Sequence, residues 1–394
     1  MPPHDLALHC LQCARVHAVT LTRYVCDCGG LLEARGAWWI EPSLLSGRGV
    51  WRYSSMLPFP DAAPWVTLNE GATPLVPLSK EGGNKVAVKL EGANPTGSFK
   101  DRGMTLGLTW AKALGAKAVV CASTGNTSAS AAAYAARAGL NCIVLLPEGK
   151  VAQGKVAQAV AHGARLVTVR GSFDDAMGMV SALAAKGDVY LVNSLNPLRL
   201  EGQKTLAFEV VEAMGWNVPD VMVFPVGNAG NVSAAWKALK ELKALHMIDR
   251  LPRLVGVQAE GAAPIARAIA AGASEVTAVA KPETVATAIR IGDPVNATKA
   301  MAAFRESKGA VLTVTDDEIL AAQRDLAARE GLFVEPSSAA PLAGWRKLAA
   351  QGAIAADESV VLVATGHGLK DAAAWKPEPR VIDPTLEALE AILR

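Results

Sequence analysis

From position 85 onward, the sequence alternates short apolar runs with amphipathic segments that have helical spacing. The apolar runs are nearly continuous, which is typical of parallel strands covered by helices on both faces. The predicted strands lie at 85–91, 116–123, 141–147, 164–170, 189–194, 221–227, 253–261 and 358–366. The predicted helices lie at 98–114, 126–138, 151–162, 172–185, 201–214, 231–245, 264–271, 316–330 and 337–350. This alternation predicts an α/β protein with parallel sheets, whose ligands bind beyond the carboxyl ends of the strands.

Length and charge argue against several classes of protein. The chain has 394 residues, enough for roughly two to three domains. Its 39 basic and 37 acidic side chains give a net charge of +2, which argues against a general binder of nucleic acid or membrane surfaces. The sequence shows neither an apolar run of about 18 residues nor a basic leader followed by an apolar stretch. We therefore expect a cytoplasmic protein that binds neither nucleic acid nor a membrane.

Four cysteines near the amino terminus are spaced like the ligands of a metal. Cys10 and Cys13 form a C-x2-C pair, and Cys26 and Cys28 form a C-x-C pair that precedes two glycines. Clustered thiols in a cytoplasmic protein indicate a metal site rather than disulfides, and four thiolates are the usual ligands of structural Zn2+. The second pair is one residue shorter than usual, so a degenerate ribbon without metal is the alternative. We interpret residues 1–36 as a zinc-ribbon-like segment.

Three turns rich in small residues each join a predicted strand to the segment after it. They are STGNTS (123–128), GNAGN (227–231) and ATGHG (364–368). A turn of this kind directs several backbone N–H groups at one point and so favours an anion. None of the three is a G-x-G-x-x-G fingerprint or a P-loop, which disfavours dinucleotides and nucleoside triphosphates.

Lys100 lies where the turn in NPTGSFKDRG (94–103) runs into a predicted helix. A lysine held at the mouth of a cleft suits Schiff-base chemistry, because a lowered pKa keeps its amine nucleophilic. The alternative is a solvated lysine on an exposed helical face.

Seven motifs, in their order along the chain, together resemble the threonine synthases. That family belongs to the tryptophan-synthase-β-like enzymes of fold type II, which depend on pyridoxal 5'-phosphate (PLP). The motifs are NPTGSFKDRG, ASTGNTSAS, NSLNPLRLEGQKTLAFE, GNAGN, ATAIRIGDP, FVEPSSAA and ATGHGLKD. The resemblance implies two open α/β domains with parallel sheets: a large PLP-binding domain over 37–104 and 201–394, and a small mobile domain over 105–200. It also implies a homodimer.

The resemblance assigns the residues that contact the cofactor. Lys100 is expected to bind PLP covalently, Asn126 to hydrogen-bond the ring hydroxyl, and Thr365 to face the pyridine nitrogen. The cofactor phosphate is expected to lie against the backbone amides of one loop, which comprises Gly227, Asn228, Ala229, Gly230 and Asn231.

The resemblance also implies a second phosphate site, which receives the substrate. It assigns Asn193, Ser194, Arg199 and Thr127 to this site, and arginine suits the role because its guanidinium binds phosphate through two parallel hydrogen bonds. Ser123 and Thr124 are expected to contact the substrate carboxylate. The alternative is that Arg199 caps a helix and Asn193 closes a turn. Glu201 and Lys204, three residues apart on a predicted helix, read as a surface ion pair.

The resemblance implies a carbon–oxygen lyase that converts a phosphorylated amino acid, O-phospho-L-homoserine, and water into L-threonine and phosphate, with Lys100 as the general base. Related alternatives are a cysteate synthase acting on O-phosphoserine and a serine/threonine deaminase. A deaminase has no need of a second phosphate site. A pseudoenzyme that has kept only the fold is the third alternative, and an intact Lys100 argues against it.

Overall fold

A computed structural model of the chain describes residues 5–60, 64–81, 85–123, 125–148, 153–171, 173–375 and 379–392. The strands are β1 (Ala7–Cys10), β2 (Val16–His17), β3 (Leu32–Arg35), β4 (Leu75–Pro77), β5 (Val86–Leu90), β6 (Ala118–Ala122), β7 (Asn141–Pro147), β8 (Arg165–Val169), β9 (Val189–Leu191), β10 (Val221–Pro225), β11 (Arg253–Ala259), β12 (Ala310–Val314) and β13 (Val360–Ala364). The helices are α1 (Lys100–Ala113), α2 (Asn126–Ala138), α3 (Gln153–Ala161), α4 (Phe173–Ala185), α5 (Pro197–Gln203), α6 (Thr205–Ala213), α7 (Gly230–Ala244), α8 (Pro264–Ala270), α9 (Ala297–Glu306), α10 (Asp316–Glu330), α11 (Pro336–Ala350) and α12 (Leu386–Glu390).

Two sheets carry most of the chain, and a third belongs to the amino terminus. The larger sheet has the order β12-β11-β10-β13-β5-β4 and is parallel except for β4. The second sheet, β8-β7-β6-β9, is entirely parallel. The amino-terminal sheet is antiparallel, in the order β2-β1-β3. The predicted α/β architecture with parallel sheets is therefore confirmed.

Most of the apolar runs are buried, as their continuity predicts, and the exception is β8 at the edge of its sheet. Every residue of β6, β10 and β13 is buried, because helices cover both faces of the sheets. The predicted bounds agree with the structure for α2, α10 and β7. We did not predict α9, β12 or the antiparallel strand β4.

The predicted helix over 201–214 starts earlier and is divided in two. It begins with α5 at Pro197, because the side chain of Asn196 accepts a hydrogen bond from Leu198 N and the proline suits the first helical position. A break at Lys204 then separates α5 from α6.

A buried group of four charged residues, the core ion cluster, fixes α1 against the larger sheet. It comprises Lys89 on β5, Glu91, Arg102 on α1 and Glu209 on α6. Arg102 is 0% exposed and donates to both carboxylates at 2.6–2.8 Å. Two positive and two negative charges compensate one another here, which a buried charge requires.

The charges of the core ion cluster also make stability depend on pH. Burial alone would raise the pKa of Glu209, but Arg102 and Lys89 outweigh burial and lower that pKa to about 2. A carboxylate whose pKa is lower in the folded state stabilises the fold above the pKa of the unfolded state, and this contribution is lost as the pH falls towards the folded value. The cluster therefore loses its stabilising effect in acid.

The interpretation of Glu201 and Lys204 as a surface pair is wrong. Glu201 is 1% exposed and Lys204 is 0% exposed, and they form a buried ribbon-contact cluster with Lys237 and Glu241 of α7. Lys237 also donates to the carbonyl of Ala34 in β3. The amino-terminal sheet covers this face of the helix, and the spacing of two residues cannot reveal such a cover.

No helix in the part of the chain that the structure describes has the length and apolar character needed to span a bilayer.

Replacing Glu209 with Gln removes one carboxylate from the core ion cluster and leaves Arg102 and Lys89 with Glu91 alone. We expect the free energy of unfolding to fall by about 3–5 kcal/mol, because a buried charge without its partner stays desolvated without compensation. Urea denaturation followed by circular dichroism measures the change.

Asp188→Asn is the control, since it breaks the exposed ion pair with Lys117. That change should stay within about 1 kcal/mol. A Glu209→Gln loss no larger than the control's would contradict the importance of the cluster.

Candidate active site

Lys100 is the first residue of α1, and the turn before it is held by hydrogen bonds from three sides. The carboxylate of Asp101 accepts from the backbone N of Thr96 at 2.7 Å, from its hydroxyl at 2.6 Å and from Ser130 Oγ on α2. Gly97 has a φ of 80°, a conformation that favours glycine. These contacts fix the direction in which the lysine leaves the helix.

The surroundings of Lys100 make its amine reactive. Burial and, to a smaller extent, the charge of Arg199 lower the pKa of Lys100 to about 7, although the carboxylate of Glu335 partly opposes them. The ammonium nitrogen lies 4.3 Å from the centre of the Phe99 ring. An amine with a pKa near neutrality is partly unprotonated at physiological pH, so it can act as a nucleophile and as a base.

Asn126 begins α2 and faces a carboxylate from the other side of the cleft. Its side-chain nitrogen donates to Glu335 Oε1 at 2.9 Å, while its Oδ1 is buried without a hydrogen-bond partner among the described residues. Thr365 follows β13, and its hydroxyl lies 3.0 Å from Ser338 Oγ, which also accepts from Gly366 N. Sequence reasoning missed Glu335 and Ser338, although FVEPSSAA holds a signal for the first. A Glu-Pro pair marks a helix start, where a carboxylate is favoured.

The loop GNAGN joins β10 to α7 and has the geometry of an anion site. Ala229 has a φ of 60°, which is uncommon for a residue with a side chain. Both polar side-chain atoms of Asn231, in the first turn of the 15-residue α7, are buried without a partner in the described structure. An unpaired buried amide at a helix amino terminus favours a bound anion. Asn228 accepts a hydrogen bond from Asn296 N at 3.2 Å, and Gly227 packs against Ile289.

Arg199 on α5 is a buried cation without a counterion among the described residues. The side chain is 0% exposed, and none of its three guanidinium nitrogens has a hydrogen-bond partner there. Burial lowers the pKa of Arg199 to about 10. Gly103 and Gly107 of α1 make room for it, since a Cβ at Gly107 would lie 3.1 Å from Arg199 Cγ. Binding an anion would stabilise such a guanidinium strongly, because its charge is otherwise buried without compensation.

The other predicted substrate residues lie at the ends of β6 and β9. Asn193 already uses its side-chain amide, which exchanges hydrogen bonds with the N and O of Ala122 at 3.0 and 2.8 Å. The carbonyl of Ser194 accepts from Asn296, and the hydroxyl of Ser123 accepts from Gly125 N at 3.2 Å. Thr127 is half-buried in the first turn of α2. Thr124 lies outside the described residues.

These groups fit pyridoxal phosphate. A half-buried amine of low pKa suits an aldehyde, and a loop with a positive φ at a helix amino terminus suits a phosphate. The side-chain oxygen of Asn126 and the whole side-chain amide of Asn231 lack partners among the described residues, so they can bind polar groups of the cofactor. Helix α5 connects the two predicted phosphate sites, because a Cβ at Gly230 would lie 3.2 Å from Leu200 Cδ2.

The four amino-terminal cysteines form a second candidate site. Their sulfur atoms all lie within 4.8 Å of one another, and three of the pairs are 3.4–3.5 Å apart. Zn–S bonds of about 2.3 Å would give tetrahedral edges of about 3.8 Å, close to this spacing. The short C-x-C pair reaches the cluster because Gly29, with a φ of 82°, turns the chain directly after it. The residues fit a tetrahedral metal ion.

Comparisons with known proteins agree with this geometry. Residues 66–366 match the family described as pyridoxal-phosphate dependent enzyme. The chain is 51% identical to a threonine synthase of Methanocaldococcus jannaschii, over 98% of each protein. It is 53% identical to a threonine synthase of Halalkalibacterium halodurans, over 81% of this chain and 88% of that protein. The solved structure of maize serine racemase is 22% identical, with a TM-score of 0.65 over 77% of this chain and 90% of that one, and shares the fold.

Replacing Arg199 with Met keeps much of the side-chain volume and removes the buried charge. We expect the free energy of unfolding without ligand to rise by about 1–4 kcal/mol, because the unpaired guanidinium is desolvated and the thioether is not. Inorganic phosphate should raise the Tm of the natural chain more than that of the variant, since a ligand stabilises the state that binds it. Calorimetry with and without phosphate measures both effects.

Arg52→Met is the control, because Arg52 is half-buried and paired with Glu212. It should lose stability and keep the response to phosphate. An equal phosphate shift in Arg199→Met and the natural chain would contradict an anion site at Arg199.

Proposed function

Since the chain belongs to the pyridoxal-phosphate-dependent enzymes and, within them, to the threonine synthases, we propose that it converts O-phospho-L-homoserine and water into L-threonine and inorganic phosphate. One observation carries this proposal. The buried guanidinium of Arg199 has no hydrogen-bond partner among the described residues, and its side chain packs against Gly103 and Gly107 of α1, the helix that begins with Lys100. Its charge lowers the pKa of the Lys100 amine. One cleft therefore combines a nucleophilic amine with a cation that has no counterion among the described residues. A substrate with an amino-acid end and a phosphate end satisfies both.

Lys100 performs the proton transfers of this reaction. When bound, pyridoxal phosphate supplies an electron sink that stabilises the negative charge left when a carbon of the substrate loses a proton. The amine of Lys100 takes a proton from Cα and then one from Cβ, so that phosphate can leave Cγ, and it returns protons at Cγ and at Cα. Water adds its hydroxyl at Cβ, and its remaining proton goes to the released phosphate. The same amine can serve these transfers because α1 holds it beside the reacting carbons. A pKa of about 7 suits both directions of transfer.

Arg199 and the turn after β6 orient the substrate. Arg199 holds the substrate phosphate and stabilises the charge that grows as this group leaves Cγ. Ser194 and Thr127 add neutral hydrogen bonds to the phosphate, and Asn193 places Ser194 by tying the end of β9 to Ala122. Ser123 and the amides of its turn, together with Thr124, contact the carboxylate. Two fixed ends leave little freedom to the carbons between them, which lowers the entropic barrier.

Three parts of the cleft are proposed to contact the cofactor. When pyridoxal phosphate is bound, Asn126 would donate to the ring hydroxyl, Thr365 would face the pyridine nitrogen, and the loop formed by residues 227–231 would hold the cofactor phosphate through its amides. A neutral hydroxyl at Thr365 keeps the ring nitrogen less firmly protonated than a carboxylate would.

The domain organisation and assembly belong to this proposal. We assign 37–104 and 201–394 to the large domain and 105–200 to a small domain that closes over the cleft and excludes water from the reacting carbons. The proposed assembly is a homodimer.

Arg199 favours this function over its relatives. A serine or threonine deaminase handles a substrate without phosphate, which would leave the guanidinium of Arg199 buried and unpaired throughout the reaction. A synthase acting on O-phosphoserine would use the same guanidinium. The two phosphorylated substrates differ by one methylene between the amine and the phosphate, so a direct comparison separates them.

We also propose that Cys10, Cys13, Cys26 and Cys28 bind one structural Zn2+. The spacing of the sulfur atoms supports this, as do the backbone amides of Gln12 and Cys13, which lie 3.4 and 3.5 Å from Cys10 Sγ. Such amides stabilise a thiolate, the form that binds metal. The metal would hold the amino-terminal sheet in the shape that covers α5 and α7.

Incubating the purified holoenzyme with four substrates tests the reaction. O-phospho-L-homoserine should release phosphate and L-threonine in equal amounts, while O-phospho-L-serine, L-threonine and L-serine should give no comparable turnover. Phosphate release and amino-acid analysis measure the products. Lys100→Ala should abolish activity, whereas Lys112→Ala, an exposed position on the same helix, should retain it. Pyruvate or 2-oxobutyrate as the main product would instead indicate a deaminase.

Metal analysis of the purified chain tests the zinc proposal. We expect about one zinc ion per chain, the stoichiometry of a four-thiolate site. Cys13→Ser should lower both the zinc content and the Tm, because metal binding contributes to folding. Cys142→Ser changes a buried cysteine outside the cluster and should keep the zinc. Equal zinc content in Cys13→Ser and the natural chain would show that the cluster is not the metal site.

A further inference from the structure

Glu335 is a buried carboxylate that the proposed reaction does not use. It is 1% exposed and occupies the position directly before α11. Its backbone N donates to Gly366 O at 3.1 Å, and its backbone O accepts from Ser338 N at 2.9 Å. The neighbouring residue Val334 pairs with His367 in an isolated β-bridge. The backbone of Glu335 is therefore held on both sides, next to the end of β13.

The side chain of Glu335 has little freedom either. A Cβ added to Gly366 would lie 2.4 Å from Glu335 Oε1 and 3.3 Å from Asn126 Nδ2, so the two side chains pass directly over this glycine. The position admits no larger residue without displacing the carboxylate. Gly366 thus makes room for the contact between Glu335 and Asn126.

The contact joins two separate layers of the molecule. Asn126 opens α2, which follows β6 of the four-stranded sheet, whereas Glu335 precedes α11, which packs beside the six-stranded sheet. The residues are 209 positions apart in the sequence, and the Nδ2–Oε1 distance is 2.9 Å. An ionised carboxylate only accepts hydrogen bonds, so the amide must turn its NH2 group towards it. The choice between the two orientations of the Asn126 amide thus depends on the charge of Glu335.

We propose that Glu335 is a positioning residue of the reaction, which fixes the orientation of the Asn126 amide across the cleft and places a negative charge opposite Lys100. This inference rests on the proposed function, because Asn126 is the residue expected to hold the ring hydroxyl of pyridoxal phosphate. When one N–H of the Asn126 amide donates to Glu335, the direction of its second N–H is fixed as well. The Oδ1 atom then lies on the opposite side of the amide. Without the carboxylate, the amide is free to rotate by half a turn.

The charge of Glu335 has a separate consequence for Lys100. Gly366, which lies against the carboxylate of Glu335, pairs with Ser98 in an isolated β-bridge, so this carboxylate lies near the turn that carries Lys100. Its negative charge opposes the effect of the Arg199 charge on the amine. Removing this negative charge leaves Lys100 beside Arg199 without that compensation. The protonated amine becomes less stable, so the pKa of Lys100 falls.

A double-mutant cycle on the binding of pyridoxal phosphate to the apoenzyme tests the positioning role. Glu335→Gln and Asn126→Ala should each weaken binding about tenfold, and the double variant should be no weaker than Asn126→Ala alone. Quenching of tryptophan fluorescence measures the dissociation constants. Glu318→Gln is the matched control, because Glu318 caps α10 and glutamine serves that role equally well. Additive losses would overturn the proposal.

The titration midpoint of the Lys100 amine tests the electrostatic part of the proposal, because a purely structural role of Glu335 would leave this midpoint unchanged. Reductive methylation of the apoenzyme, quantified at Lys100 by mass spectrometry over a range of pH, gives the midpoint of its titration. Glu335→Gln should lower this midpoint, and Asn126→Ala should leave it unchanged. An unchanged midpoint in Glu335→Gln would overturn the electrostatic part. This measurement needs no cofactor, so it stands even if the natural chain binds no pyridoxal phosphate and the proposed function fails.

Glu335→Asp keeps the test decisive if Glu335→Gln does not fold. Aspartate retains the charge and withdraws the carboxylate from the amide by one methylene. The midpoint of Lys100 should then stay near the natural value, while the affinity for pyridoxal phosphate should fall to that of Asn126→Ala. An undiminished affinity in Glu335→Asp would overturn the proposal.

Discussion

The guanidinium of Arg102 is the contact on which the rest of the structure depends. It lies two residues after Lys100 and is 0% exposed, and it donates to carboxylates from two other elements, Glu91 and Glu209. Breaking any of these contacts would leave an uncompensated charge in the interior, so α1 can occupy only one position. That position determines where the amine of Lys100 points. The reactivity of the lysine is thus a consequence of how strictly its helix is held.

Two buried arginines near the cleft differ in how their charge is compensated. Arg102 has every charge compensated and serves stability, whereas Arg199 has no partner among the described residues and makes the ligand-free fold less stable than it could be. Proteins tolerate such a cost where function requires it. The room for Arg199 comes from Gly103 and Gly107 on the same helix that Arg102 anchors. The helix that the core ion cluster holds in place therefore also makes room for the uncompensated charge of Arg199.

Local sequence signals predict the helices and strands. They do not predict contacts between residues that are far apart in the sequence. The bounds of α2 follow from its neighbours in the sequence, since Gly139 ends the helix with a φ of 71°. Lys100, Asn126 and Arg199 are candidates because each lies in a long motif that resembles the threonine synthases. The proposed role of Glu335 depends on a partner 209 positions away, and the burial of Glu201 and Lys204 depends on a sheet near the amino terminus. The spacing of residues within one helix predicts neither of these contacts.

Helix α5 connects the cysteine cluster to the cleft. Leu198 packs into the core of the amino-terminal sheet with Cys10 and Cys26, and the next residue, Arg199, turns into the cleft. Lys237 joins the same region by contacting both Glu201 and the carbonyl of Ala34. Successive side chains of a helix point in directions about 100° apart, so one short helix can serve two interfaces at once. The amino-terminal segment therefore packs against the helix that carries Arg199, the residue proposed to distinguish a phosphorylated substrate from an unphosphorylated one.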